Sequence, residues 1–149
     1  MTMFARWSAA ALIAVAASFA HAESPEAARA LLDSAVSEVR SAGPEKAAAA
    51  FNAGGKWNKG SLYVVMVQFD GTMVAHSANP KMPGKNMLEA KDAAGRPFVK
   101  EAIAAVKGPG SGEIPLRWGN PETKQIADAT MFVKRVPGQD YYVGSVVFK

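Results

Sequence analysis

The stretch Ser61-Leu-Tyr-Val-Val-Met-Val-Gln-Phe-Asp-Gly-Thr-Met-Val-Ala-His76 decides the fold of this chain. Residues 61–69 are rich in β-branched and aromatic side chains, which fit a pleated, half-buried surface. Asp70-Gly71 follows, and Asp-Gly between two such runs is the strongest short-range hairpin signal, because glycine supplies the positive φ of a tight turn. With a two-residue loop, Phe69 faces Thr72, Val67 faces Val74 and Val65 faces His76. Side chains alternate along a strand, so Tyr63, Val65, Val67, Phe69, Val74 and His76 share one face. That face is apolar except for one phenol, one threonine and one imidazole. It is either a core holding a satisfied histidine or the floor of a small pocket.

Downstream, residues 77–95 form a long connection with turn signals at Asn79-Pro80, Pro83-Gly84 and Ala94-Gly95. Loops of this length inside a compact domain are uncommon and often functional. Met82, Met87 and Leu88 give it apolar anchors, so it is expected to fold back over the hairpin face and roof a cavity. Residues 97–106 read as a helix with Phe98, Val99, Ala102, Ile103 and Val106 as its stripe. Residues 114–118, 125–136 and 141–148 read as three further strands joined by turns. Gly144 in mid-strand weakens its strand unless something approaches closely there.

Upstream, Ser24-Pro25-Glu26 reads as a helix start: cap, first-turn proline, then an acid near the positive end of the dipole. Ala28, Leu31, Leu32, Ala35, Val36 and Val39 recur at helical spacing. Gly43-Pro44 ends this helix, residues 45–51 form a second, and residues 52–60 form a loop in which Trp57 docks on the core. The order is helix, helix, two strands, helix, three strands. It predicts an α+β domain: a five-stranded antiparallel sheet with helices packed on one face.

The first 22 residues give an address. Arg6, an unbroken run of small and apolar residues over 9–17, and Ala20-His21-Ala22 have the pattern of a signal peptide cleaved after Ala22. The stretch 7–20 falls short of the ~18 residues that a spanning helix needs. Residues 23–149 are then one exported domain, with the periplasm as its expected compartment. The chain of 149 residues has no cysteine, which excludes disulfides, thiol catalysis and cysteine metal sites. The net charge of +4 is spread singly along the chain, without the patch or stripe of a nucleic-acid footprint.

No catalytic constellation emerges. Phe69-Asp70-Gly71-Thr72 lacks the nucleophilic aspartate of a phosphatase signature, since Gln68 stands two places before Asp70. Gly108-Pro-Gly-Ser-Gly112 lacks the Gly-Lys-Ser/Thr ending of a phosphate loop. After loss of His21, His76 is the sole histidine, too few for a zinc site. The chain therefore reads as non-enzymatic, with no metal and no cofactor. Cations on strands remain: Arg117 on the third, Lys134 and Arg135 on the fourth. One of Lys134 and Arg135 must face the pocket or helices and the other solvent, and a buried one needs an anion. A ligand carboxylate gripped by arginine would supply it.

Residues 63–76, Asn79-Pro80, Gly84-Lys85-Asn86, Lys91-Asp92, Gly95-Arg-Pro-Phe98, Trp118 and Phe132-Val-Lys-Arg135 together resemble the single Cache domain, the extracellular ligand-binding module of bacterial chemoreceptors and sensor kinases. The resemblance implies a PAS-like sheet behind a long N-terminal helix. It also implies a small organic ligand, often a short carboxylate, held between the sheet and the segment after the hairpin. Carried onto this chain, His76, Lys85, Asn86, Trp118 and Lys134 fall near that pocket. Tyr63, Val65, Met87, Arg117 and Phe132 complete the expected site. Phe132 stands where many relatives have a tyrosine whose hydroxyl meets the ligand. Such a domain would act in signal transduction or chemotaxis through a membrane receptor or sensor kinase. The alternative is an interaction module with a vestigial pocket, docking by its N-terminal helix to a receptor or as a homodimer.

Overall fold

A computed structural model describes residues 23–149; the signal-peptide reading of residues 1–22 lies outside them. Helix α1 (Pro25–Ala42) starts where the Ser24 Oγ accepts the Ala27 N–H at 3.1 Å, satisfying one of the orphan donors of the first turn. Its stripe of Ala28, Leu32, Ala35, Val36 and Val39 is buried. Gly43, at φ 89°, turns the chain into α2 (Pro44–Asn52). A short 3₁₀ turn (Gly55–Trp57) sets the Trp57 ring edge-on to Phe51 at 4.8 Å. The two-residue strand β1 (Asn58–Lys59) follows within the expected loop.

The remaining strands are β2 (Leu62–Gln68), β3 (Met73–His76), β4 (Ser111–Gly119), β5 (Ile126–Arg135) and β6 (Tyr141–Phe148). They form one antiparallel sheet in the order β1-β2-β6-β5-β4, with β3 also paired to β2. The sheet thus has six strands, the sixth being the short β1. Residues 62–67 of β2 are all buried, so both faces of the sheet must be covered. Helices α1 and α2 cover one face, on Leu62, Val64, Met66, Val143 and Val147. The third helix, α3 (Phe98–Lys107), packs on the other face, against Val65, Val67, Ile114 and Met131. The expectation that all helices share one face is corrected here, because the opposite face is equally apolar.

The hairpin departs from the two-residue loop in an instructive way. The Gly71 N–H donates to Gln68 O and the Gln68 N–H to Thr72 O, each at 2.9 Å, so the loop is Phe69-Asp70-Gly71 with Gly71 at φ 93°. This is a three-residue hairpin loop closed by a glycine at positive φ. A β-bulge then shifts the register: Val65 pairs with His76 and Met66 with Ala75, but Val67 pairs with Met73. Val74 is the extra residue and packs toward α1 and α2. Met73 takes the place expected for Val74.

Residues 77–97 form a strap across the α3 face. At one end it pairs with the outer edge of the hairpin: Met73 N–H to Lys85 O at 2.9 Å, Gly84 N–H to Met73 O at 2.7 Å, Met87 N–H to Gly71 O at 2.8 Å. At the other end it holds β4: the Ala93 N–H donates to Arg117 O and the Arg117 N–H to the Asp92 carboxylate, both at 2.9 Å. Asp92 also accepts the N–H groups of Ala94 and Arg96. Burial alone would raise its pKa, but these donors and the Arg96 charge outweigh it and hold the carboxyl below its usual range. The strap is therefore fastened to both sides of the sheet by its own backbone.

Candidate ligand-binding site

His76 ends β3, and Asn52 at the end of α2 sets its backbone, accepting the His76 N–H at 2.9 Å while donating to Val74 O at 3.1 Å. The chain then turns so that the N–H groups of Ala78 and Asn79 both donate to His76 Nδ1, at 3.2 and 2.9 Å. An Nδ1 that accepts two hydrogen bonds carries no proton, so the neutral ring bears its N–H on Nε2. Burial pushes the pKa of His76 down to about 4. The ring stacks on Tyr63 across the β2–β3 pair, with centroids 4.6 Å apart and planes 20° from parallel. Burial pushes the Tyr63 phenol up, so it stays protonated. Among the described residues, neither the Tyr63 hydroxyl nor His76 Nε2 has a hydrogen-bond partner.

Two spaces meet at this pair. The inner one lies beneath the strap and is lined by Tyr63, Val65, His76, Met87 and Trp118 with Met73, Met82, Phe98, Leu116, Met131, Tyr142 and Val146. Its free volume is about 20 Å³, room for about one water. The roofed cavity expected from the sequence is thus nearly filled by the chain's own side chains, four methionines among them. The outer one is an open cleft of about 830 Å³, a size typical of small-molecule sites. It is bounded by both ends of the strap and by the β4–β5 turn, and it shares Tyr63, His76 and Trp118 with the inner space. Gly144 lets two lining residues of the inner space pack across it, since a Cβ there would lie 3.0 Å from Val65 Cγ2 and 3.2 Å from Met131 Sδ. That is the close approach its mid-strand position called for.

The structure brings five of the expected site residues together around these spaces: Tyr63, Val65, His76, Met87 and Trp118. The other five lie elsewhere. Lys85 is exposed and uses its carbonyl to pair with Met73. Asn86 is bound to the hairpin turn, donating to Asp70 O and accepting the Leu88 N–H. Arg117 points off the opposite face and stands 3.9 Å from Asp128. Phe132 and Lys134 also face the α1 side: the Arg29 guanidinium covers Phe132 at 4.6 Å, and Lys134 binds Asp33 at 3.1 Å. Arg135 turns the other way but pairs with Asp140 at 3.4 Å, beside Phe69. None of the three strand cations lines either space. Sequence reasoning missed Met73, Tyr142 and Met131 as lining. Gly144 was the signal for Met131, because it marked what packs across it.

Residues 22–148 match the model of the family described as Single Cache domain 2. The chain belongs to the single Cache family. Over 86 residues, 58% of the chain, it is 31% identical to the sensor histidine kinase MctS of Rhizobium johnstonii. The match spans only 18% of that kinase's length. Among solved structures the Cache fold here is similar to the periplasmic sensor domain of a chemotaxis protein, with a TM-score of 0.65 and 24% identity over 83% of this chain and 88% of that one. It is similar also to a Cache chemosensory domain described for its carboxylic acid recognition, with a TM-score of 0.65 and 23% identity over 83% and 86% of the two chains. These likenesses establish the shared fold. Cache domains are extracellular or periplasmic sensor modules of chemoreceptors and sensor kinases. Among the described residues no helix is long and apolar enough to cross a membrane, and no three potential metal ligands cluster.

Proposed function

We propose that residues 23–149 form one exported Cache sensor domain that binds a small organic carboxylate without transforming it. The observation that carries this reading is the Tyr63–His76 pair. Its two N–H and O–H donors have no protein partner and line a cleft of ligand size, where a carboxylate oxygen would accept from both. The neutral state of His76 suits this task. Protonating Nδ1 would set an N–H against the two backbone donors of Ala78 and Asn79, so the ring acts as a constant donor through Nε2.

The same geometry supports a non-enzymatic role. A general base needs a free lone pair near the reacting group, and the lone pair of His76 is already occupied by the strap. The ligand-bound domain would report to a membrane receptor or sensor kinase, as the kinase relative suggests. Export through cleavage after Ala22 belongs to the same proposal. The reading of an interaction module that docks by α1 loses its motive, because the apolar stripe of α1 is buried on the sheet.

Thermal shift of the purified protein against acetate, propionate and pyruvate tests the proposal, since a ligand that favours the native state raises the melting temperature by mass action. Tyr63→Phe is expected to weaken the best ligand about tenfold or more, given the ~1.5–3 kcal/mol of one hydrogen bond to a charged group. Absence of any shift at millimolar organic acid, or full affinity in Tyr63→Phe, overturns it.

A further inference from the structure

We infer that the ligand sits in the outer cleft rather than beneath the strap, and that it carries a second negative charge: the site takes a small organic dianion such as a dicarboxylate. This rests on the reading of Tyr63 and His76 as the pair that meets the first carboxylate.

Space comes first. The inner cavity admits about one water, whereas the cleft beside it measures about 830 Å³. A ligand that reaches Tyr63 and His76 therefore extends outward. Charge comes next. The cleft wall presents Lys81 and Lys91 from the two ends of the strap and Lys124 from the β4–β5 turn, all exposed. Among the described residues none of the three is in an ion pair. The one carboxylate in the wall, Asp92, has both oxygens engaged by the backbone N–H groups of Ala94, Arg96 and Arg117. It is tied to the fold and stays ionised, so it offsets one of the lysine charges and leaves the wall net positive. Three cations against one carboxylate, from the strap and the β4–β5 turn, concentrate positive potential in the cleft.

The turn that supplies Lys124 is itself unusual. Lys124 has φ 61°, a left-handed conformation found at no other non-glycine position among the described residues. Glycine would adopt it freely, whereas a lysine there is strained. Asn120 enforces it: its carbonyl accepts the Lys124 N–H at 2.9 Å, its N–H donates to Gln125 O at 2.8 Å, and its side chain accepts the Glu122 N–H at 2.8 Å. Two residues on, Ile126 is 54% exposed, the large hydrophobic residue left open among the described residues. It lies in the cleft wall with Trp118. A dianion uses all of these features. One carboxylate meets Tyr63 and His76, the carbon skeleton lies on Trp118 and Ile126, and the second carboxylate meets the lysines.

Calorimetric titration of the purified protein with acetate and with succinate at low salt tests this. Succinate should bind at least tenfold tighter than acetate. In the triple variant Lys81→Gln, Lys91→Gln, Lys124→Gln, both acids should weaken at low salt, but succinate far more, so that its preference over acetate disappears. Lys124→Arg alone should keep the preference. The three side chains are exposed, so an unchanged melting temperature verifies that the variants fold. Acetate binding as tightly as succinate overturns this inference and leaves the proposed function standing, as does a succinate preference that survives the triple variant. Failure of both acids to bind overturns the two together.

Discussion

The two faces of the sheet differ in what they do with polar atoms. On the side of α1 and α2, Phe51, Val64, Met66 and Val143 are fully buried in an apolar layer. Charge there is pushed to the rim, as Arg29 with Glu113 and Lys134 with Asp33. On the side of α3 and the strap, Tyr63 and His76 sit within the apolar layer, and methionines fill the space beside them. Unbranched, polarisable methionine adapts to irregular gaps in a way that valine and phenylalanine do not. The first face secures the fold. The second keeps two donors within reach of a cleft.

The contrast is broken most severely from the first face. Phe51→Ala should destabilise the domain by about 3–5 kcal/mol, because a fully buried ring next to Trp57 leaves a cavity that the sheet cannot close. Succinate or acetate affinity, measured below the lowered melting temperature, should stay near the parent value. A loss of affinity comparable to that of Tyr63→Phe would show that the two faces are not independent.

Acid probes the second face. His76 titrates near 6.5 when unfolded and near 4 when folded, so between those values the unfolded chain binds more protons. Stability therefore rises with pH across this window. It is fully present above about pH 6.5 and falls by about 3 kcal/mol on acidification to pH 4. Asp92, with its lowered pKa, adds a further loss at still lower pH. Denaturant titrations at pH 7 and pH 4.5 measure the effect. His76→Gln should flatten the step above pH 4, and an unchanged step would mean that another group drives it.

The smallest effect sharpens the comparison from the opposite direction. Ser145 Oγ is buried on the α1 side and has no hydrogen-bond partner among the described residues. Ser145→Ala should stabilise the domain by about 1 kcal/mol, the cost of an unsatisfied hydroxyl. Destabilisation on chemical denaturation would show that the hydroxyl is satisfied after all.

Much of this architecture was readable from local signals. Ser24-Pro25, Gly43-Pro44 and Asp70-Gly71 each mark a boundary through backbone chemistry that depends on few neighbours. The alternation along β4 and β5 was also legible, and Phe132 and Lys134 do share one face while Met131 and Arg135 share the other. What alternation cannot supply is which face is which. That depends on β6 lying between β2 and β5, a long-range pairing with no local signature. The misplacement of Lys134 and Phe132 follows from that gap. Met73 was missed for a different reason: a bulge after a three-residue loop inverts parity, and one residue of error moves a side chain to the other face. Lys124 was beyond reach because its role depends on a left-handed backbone and on the end of the strap facing it.

The strap has one more effect, on the sheet's borders. An uncovered border strand is a template onto which another chain can add. Asn52 and the backbone of Gly84, Lys85 and Met87 occupy the outer border of β3 and the hairpin turn. On β4 the opposite border has Pro115 in mid-strand, where no N–H is available, flanked by charged Glu113 and Arg117 and pinned by Ala93. A single loop that shelters the cleft thus also helps keep the sheet from being lengthened by a neighbour.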